Sequence, residues 1–208
     1  MSLKKENDVL VFDTNPYKED NIVVHEKIQI FDLVPENHPA LKKVLPDFDF
    51  DNPPVNPNSF ASSLVETCKK HNGLGLSANQ CGFEHRVFVM GSGDNYVAFY
   101  NPKIVAVSER KNKMEEGCLS YKGLYLNIER PEEINVQYQD FNGIKREAKF
   151  TGLTARCFQH ELDHMNGITY HTYVGNVSLQ LAQKKRQKNI KLLSKTLKVK
   201  TDGNNRNA

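Results

Sequence analysis

Residues 160–164 read HELDH, two histidines four positions apart with a glutamate beside the first. On an α-helix that spacing puts both imidazoles on one face about a turn apart, where they can hold one Zn2+ or Fe2+. Glu161 projects beside them, placed to take a proton from an activated water and return it to a leaving group. The same five letters occur in ordinary helices, so a third ligand must decide their meaning. The longer HExxHxxGxxH pattern fits as far as Gly167, then fails by one position: Tyr170 takes the slot of the third histidine and His171 follows. No Asp or Glu stands between His171 and Thr201, which leaves upstream donors. The thiol candidate is Cys118 in EEGCLSY, where Gly117 gives close backbone approach and Glu116 and Ser120 can anchor the loop. As a thiolate it binds a borderline or soft metal strongly. Cys157, three residues before His160, reads as a small core residue, as do Cys68 and Cys81.

These residues need elements to carry them. SFASSLVETCKKHN, from about Ser59, places Phe60, Leu64 and Cys68 at helical spacing and predicts a first helix stopped at Gly73. LTARCFQHELDHMNG predicts a second, with Thr154 near its start, Gly167 ending it, and Leu153, Cys157, His160 and His164 along one face. A third follows from Ser178, its imperfect apolar stripe (Leu179, Ala182, Ile190, Leu193, Leu197) set among lysines. Strands are expected in VVHEKIQIFDL, HRVFVMGS, YVAFYNPKIVAVS, LYLNI and EINVQYQDFNGIKREAKFTG, the last folding as a hairpin about Phe141-Asn142-Gly143. PENHPALKKVLPDFDFDNPPVNP, rich in proline, reads as irregular chain. Strands with helices at intervals and no regular βαβ alternation predict an α+β fold.

The chain has 208 residues, enough for one domain with a substantial core and a tail, and its 38% hydrophobic residues exclude disorder throughout. No apolar run approaches a membrane span, and the acidic residues among the first two dozen argue against secretory or transit peptides. Four cysteines without a CxxC pair fit a reducing cytosol. The net charge is +3, yet eight basic and no acidic residues lie between Ser178 and Lys200, so the remainder carries about −5.

Three separated motifs, GLGLSANQ (Gly73–Gln80), EGCLS (Glu116–Ser120) and QHELDH (Gln159–His164), occur in that order, and the chain thereby resembles the peptide deformylase family. The resemblance extends through NHPALKKV, ERPEEINVQYQDFNG and TGLTARCFQHELDHMNG and covers roughly residues 23–174. It implies antiparallel short sheets packed around a central HExxH helix, with an N-proximal helix and a C-terminal helix. It divides the chain into an N-terminal extension (1–22), a catalytic domain (23–177), a basic helix (178–200) and a polar tail (201–208). It makes Cys118, His160 and His164 the ligands of one divalent metal, Fe2+ as the native ion, with Zn2+, Ni2+ or Co2+ able to substitute. The implied reaction is hydrolysis of the N-formyl group on the first methionine of a nascent peptide. A metal-bound water attacks the formyl carbon, Glu161 serves as general acid and base, and Gln80 and the Leu119 N–H stabilise the oxyanion. The methionine pocket would draw on Leu74, Met114, Leu153 and Cys157, with the peptide backbone aligned along Gly75, Leu76 and Gly117.

The departures from the family pattern are specific: Ser77 replaces a common alanine, and Tyr125 stands where an arginine is often found. The resemblance places the enzyme in a bacterial cytoplasm, encoded by a bacterium or by a phage acting in one. It leaves the basic helix two readings, a ribosome-docking element contacting rRNA phosphates or a solvated lysine-rich helix. Two rival functions remain to be separated: a zinc endopeptidase built on the same HExxH, and an inactive ribosome-binding relative.

Overall fold

A computed structural model describes residues 28–204, with side chains through residue 191. The N-terminal extension, the start of the first expected strand at residues 23–27, and residues 205–208 of the tail lie outside the described residues, as do the side chains of Leu193, Leu197 and the last three lysines. The chain divides into two compact units. One takes the described residues up to Asn112 together with Arg130–Thr169, and the other takes Lys113–Glu129 and the described residues from Tyr170 onward.

The first unit is built on a five-stranded antiparallel sheet in the order β1-β2-β3-β6-β7. Its strands are β1 (Gly75–Ser77), β2 (Val87–Ser92), β3 (Asn95–Val107), β6 (Glu133–Gln139) and β7 (Lys145–Thr151). Strand β2 is buried from Val87 to Gly91 because helix α1 (Pro57–Lys70) and helix α2 (Gly152–Met165) both pack on it. An uninterrupted apolar run suits a strand covered on both faces. Register places Gly75 opposite Met90 and Ser77 opposite Phe88, which aligns the short edge strand β1. The β6–β7 hairpin forms as expected, with positive φ at Gly143 alone (78°). Its turn is closed by Asp140, whose Oδ1 accepts the N–H groups of Asn142 and Ile144 at 2.9 and 3.0 Å.

Helix α1 starts two residues before Ser59, at Pro57, where a residue without an N–H costs no helical hydrogen bond. Asn56 caps it by accepting from the Ser59 N–H at 3.0 Å. Its hydroxyls also overturn one expectation. Ile28–Leu33, the described part of VVHEKIQIFDL, is not a strand, because its backbone donors go to side chains: Gln29 N–H to Ser63 Oγ (3.0 Å) and Phe31 N–H to Thr67 Oγ1 (2.9 Å). Helix α2 lies at the centre, as the resemblance implied, and Phe158 packs between Phe88, Phe99 and Phe150 with ring centroids 5.1–5.6 Å apart. Every residue of α2 from Thr154 to Met165 is buried, so it has no solvent face.

Strands β4 (Lys111–Glu116) and β5 (Leu126–Pro131) form a two-stranded sheet. In the second unit, helix α3 runs from Asn176 to Asn204, beginning before Ser178 and continuing past Lys200. Leu179 and Ala182 are half-buried, as is Arg186, which donates from Nε to the Lys122 carbonyl at 2.8 Å. Ile190, expected in the apolar stripe, is exposed. Among the described residues no helix is long and apolar enough to cross a membrane.

Candidate metal centre

His160 and His164 both lie on α2, with ring centroids 5.2 Å apart, and both are buried. Cys118 is half-buried, in extended conformation, and precedes a 3-10 turn at Leu119–Tyr121. One ligand atom from each of Cys118, His160 and His164 lies within 4.8 Å of the others, and no other such cluster occurs among the described residues. That separation is close to the span of two metal–donor bonds of about 2.0–2.3 Å. One soft thiolate with two imidazoles is a donor set that fits Zn2+ or Fe2+. His171 stands outside the cluster, and its ring meets Tyr121 edge-on at 5.2 Å.

The other cysteines have different surroundings. Cys68 is fully buried, and burial pushes its thiol well above the ordinary range. Burial raises Cys81 to about 12, so neither is a thiolate near neutral pH. Cys157 belongs to the hydrophobic core cluster, against which Leu74 and Leu153 also pack. Met114 is half-buried on β4, whereas the side chain of Leu76 is fully enclosed, so only its backbone can meet a ligand.

Glu161 is 4% exposed and held from two sides. Ser77 donates its hydroxyl to Glu161 Oε2 at 2.7 Å. On the other side the carboxylate lies over Gly75, where an added Cβ would come 2.5 Å from Oε1. Glycine is therefore required at 75 by close approach, and a methyl group there would displace the carboxylate. Gln80 is also buried, and its Oε1 accepts the Ser77 N–H at 2.9 Å. That bond fixes the oxygen end of the amide and directs its NH2 end the other way.

Buried polar neighbours hold α2 in place. Arg130 and Asp163 form an enclosed ion pair at 2.7 Å. Asn79 donates from Nδ2 to the His164 carbonyl at 2.7 Å and to the Ala40 carbonyl at 3.2 Å. Arg156 is buried and donates to the Asn112 carbonyl at 2.8 Å. Reading the sequence missed the supporting roles of Ser77, Asn79 and Arg130. The available signal was the presence of Ser77 and Asn79 beside Gln80, in a motif whose other residues are Gly, Leu and Ala.

The chain is similar to known proteins in both sequence and fold. The sequence model of the polypeptide deformylase family matches residues 30–180. A peptide deformylase of Thermotoga maritima is 36% identical over 144 residues, which are 69% of this chain and 86% of that protein. The crystal structure of a Synechococcus elongatus peptide deformylase in complex with actinonin superposes with a TM-score of 0.68 at 30% identity, covering 76% of this chain and 86% of that one. A Met-Ala-Ser-bound peptide deformylase of Acinetobacter baumannii gives 0.67 at 27% identity, covering 71% and 100%.

Gly75→Ala is expected to keep the metal and lose hydrolysis by about 100-fold or more, the scale of a displaced general base. Metal content and turnover measured on the same sample check this; unchanged turnover would contradict the placement of Glu161.

Proposed function

The chain belongs to the polypeptide deformylase family, and we propose that Cys118, His160 and His164 hold its metal while Glu161 moves the proton. It is a hydrolase that removes the formyl group from the N-terminal methionine of newly made proteins, releasing formate. The observation that carries the residue assignment is the cysteine–histidine cluster and the buried glutamate next to His160 in sequence. A divalent ion held there would supply Lewis acidity and lower the pKa of a bound water. The family is one of metalloenzymes, and Fe2+ is our choice of native ion because a thiolate suits it as well as Zn2+.

Glu161 takes the proton of the attacking water and delivers it to the departing nitrogen, and its fixed carboxylate needs no reorganisation between the two transfers. Gln80 presents its NH2 group and Leu119 its backbone N–H to the developing oxyanion. Strand β1 is the outermost strand of its sheet, so an extended peptide can add to it along Gly75 and Leu76, with Gly117 as a further backbone contact. Leu74, Met114, Leu153 and Cys157 supply apolar surface for the methionine. The product-like Met-Ala-Ser bound to the Acinetobacter baumannii protein supports a ligand of this kind.

The rival endopeptidase would depend on a different third ligand, such as His171, and the inactive relative would lack turnover altogether. The cluster favours neither, since it includes Cys118 and omits His171. Along α3 the lysines 184, 185, 188 and 191 are exposed, which supports rRNA phosphates as the partner of this helix in the cytoplasm, beside nascent chains.

Formyl-Met-Ala-Ser incubated without oxygen with iron-loaded protein is expected to release formate, with one iron per chain by metal analysis. Cys118→Ser should lose the metal and fall to background. Retained metal and full activity in Cys118→Ser would overturn the ligand assignment, and no turnover by metal-loaded wild type would favour the inactive relative. Deleting residues 178–208 should reduce co-sedimentation with bacterial ribosomes at low salt; unchanged sedimentation would rule out this helix as the docking element.

A further inference from the structure

The geometry points to Ser77 as a positioning residue for Glu161. The inference rests on the proposed role of Glu161 and adds the group that holds it. Ser77 is the last residue of β1 and has no solvent exposure. Its hydroxyl lies 2.7 Å from Glu161 Oε2 and 3.2 Å from the backbone carbonyl of the same residue. One hydroxyl carries one proton, and the shorter, charge-assisted bond to the carboxylate takes it.

The carboxylate is then fixed at both oxygens, with Oε2 accepting from Ser77 and Oε1 lying against the surface left open by Gly75. Both constraints come from one three-residue strand, and the backbone N–H of the same serine holds the Gln80 side chain. The short register of β1 on β2, Ser77 opposite Phe88, thus places the acid–base group and the oxyanion donor from a single point. Alanine at 77 would keep the bond from the residue-77 N–H to Gln80 Oε1, and would remove the hydroxyl's bond to Glu161 together with its acceptance of the Gln80 backbone N–H. The bond to the Glu161 carboxylate is the hydroxyl's contribution to the proton-transfer step, one that a sequence with alanine at this position lacks.

The test is Ser77→Ala in the metal-loaded full chain, with kcat and KM for formyl-Met-Ala-Ser determined separately. A lost hydrogen bond to a charged group predicts a kcat lower by roughly tenfold or more, with KM within about twofold and metal content unchanged. The isosteric pair Ser77→Thr and Ser77→Val separates the hydroxyl from volume: the threonine variant should keep the higher kcat. Wild-type kcat in Ser77→Ala, a loss confined to KM, or a loss that parallels loss of metal would each overturn the inference. Glu161→Gln distinguishes this failure from failure of the underlying reading. If that variant collapses while Ser77→Ala is unchanged, only the positioning role is wrong; if Glu161→Gln keeps full activity, the acid–base assignment itself falls.

Discussion

A helix buried on every side cannot leave its polar side chains to water, and α2 carries Arg156, Gln159, Glu161 and Asp163 in addition to its two histidines. Taking an ion out of water costs several kcal/mol unless a partner is supplied, so the elements around α2 are constrained to present one for each. Arg130 answers Asp163, Asn112 answers Arg156, and the Pro131 carbonyl answers Gln159. Removing one of these partners would cost a buried polar group one of its hydrogen bonds, which is why the polar contacts on α2 specify its rotation as well as its position.

The same constraint produces the chemistry. A carboxylate that must be buried is given a hydroxyl from Ser77 and a glycine floor at Gly75, and in the role proposed for Glu161 a base so held needs no rearrangement for proton transfer. His160 and His164 share the helix, and Asn79 donates to the carbonyl of the second, so strand β1 and the turn after it support the faces of α2 that carry the histidines and Glu161. The proposed site and the core therefore share residues, and the apolar cluster around Phe158 anchors the helix from the sheet side.

Much of this was legible in the sequence where local pattern and tertiary outcome coincide. The histidine spacing on α2 and the Asn-Gly hairpin are fixed by residue types at short range, whereas nothing local joins Cys118 to the histidines, which stand more than forty residues further on. Strand β1 was not legible, since three residues carry no periodicity, and β4, KNKMEE, is too polar to read as a strand. Ile28–Leu33 misled because its branched residues suggest a ladder, whereas Ser63 and Thr67 of α1 bind its backbone instead. The buried contacts of Arg156 and Ser77 were not legible for one reason: burial of a polar side chain depends on a partner distant in sequence, and no spacing rule encodes that.

The central claim is that one thiolate and two imidazoles of this chain bind a single catalytic metal. X-ray absorption at the metal edge of the zinc- or iron-loaded protein tests it most directly. The account predicts one sulfur at about 2.3 Å and two imidazole nitrogens at about 2.0–2.1 Å, with a light atom completing the shell. A shell without sulfur, or with a third imidazole in its place, would contradict it.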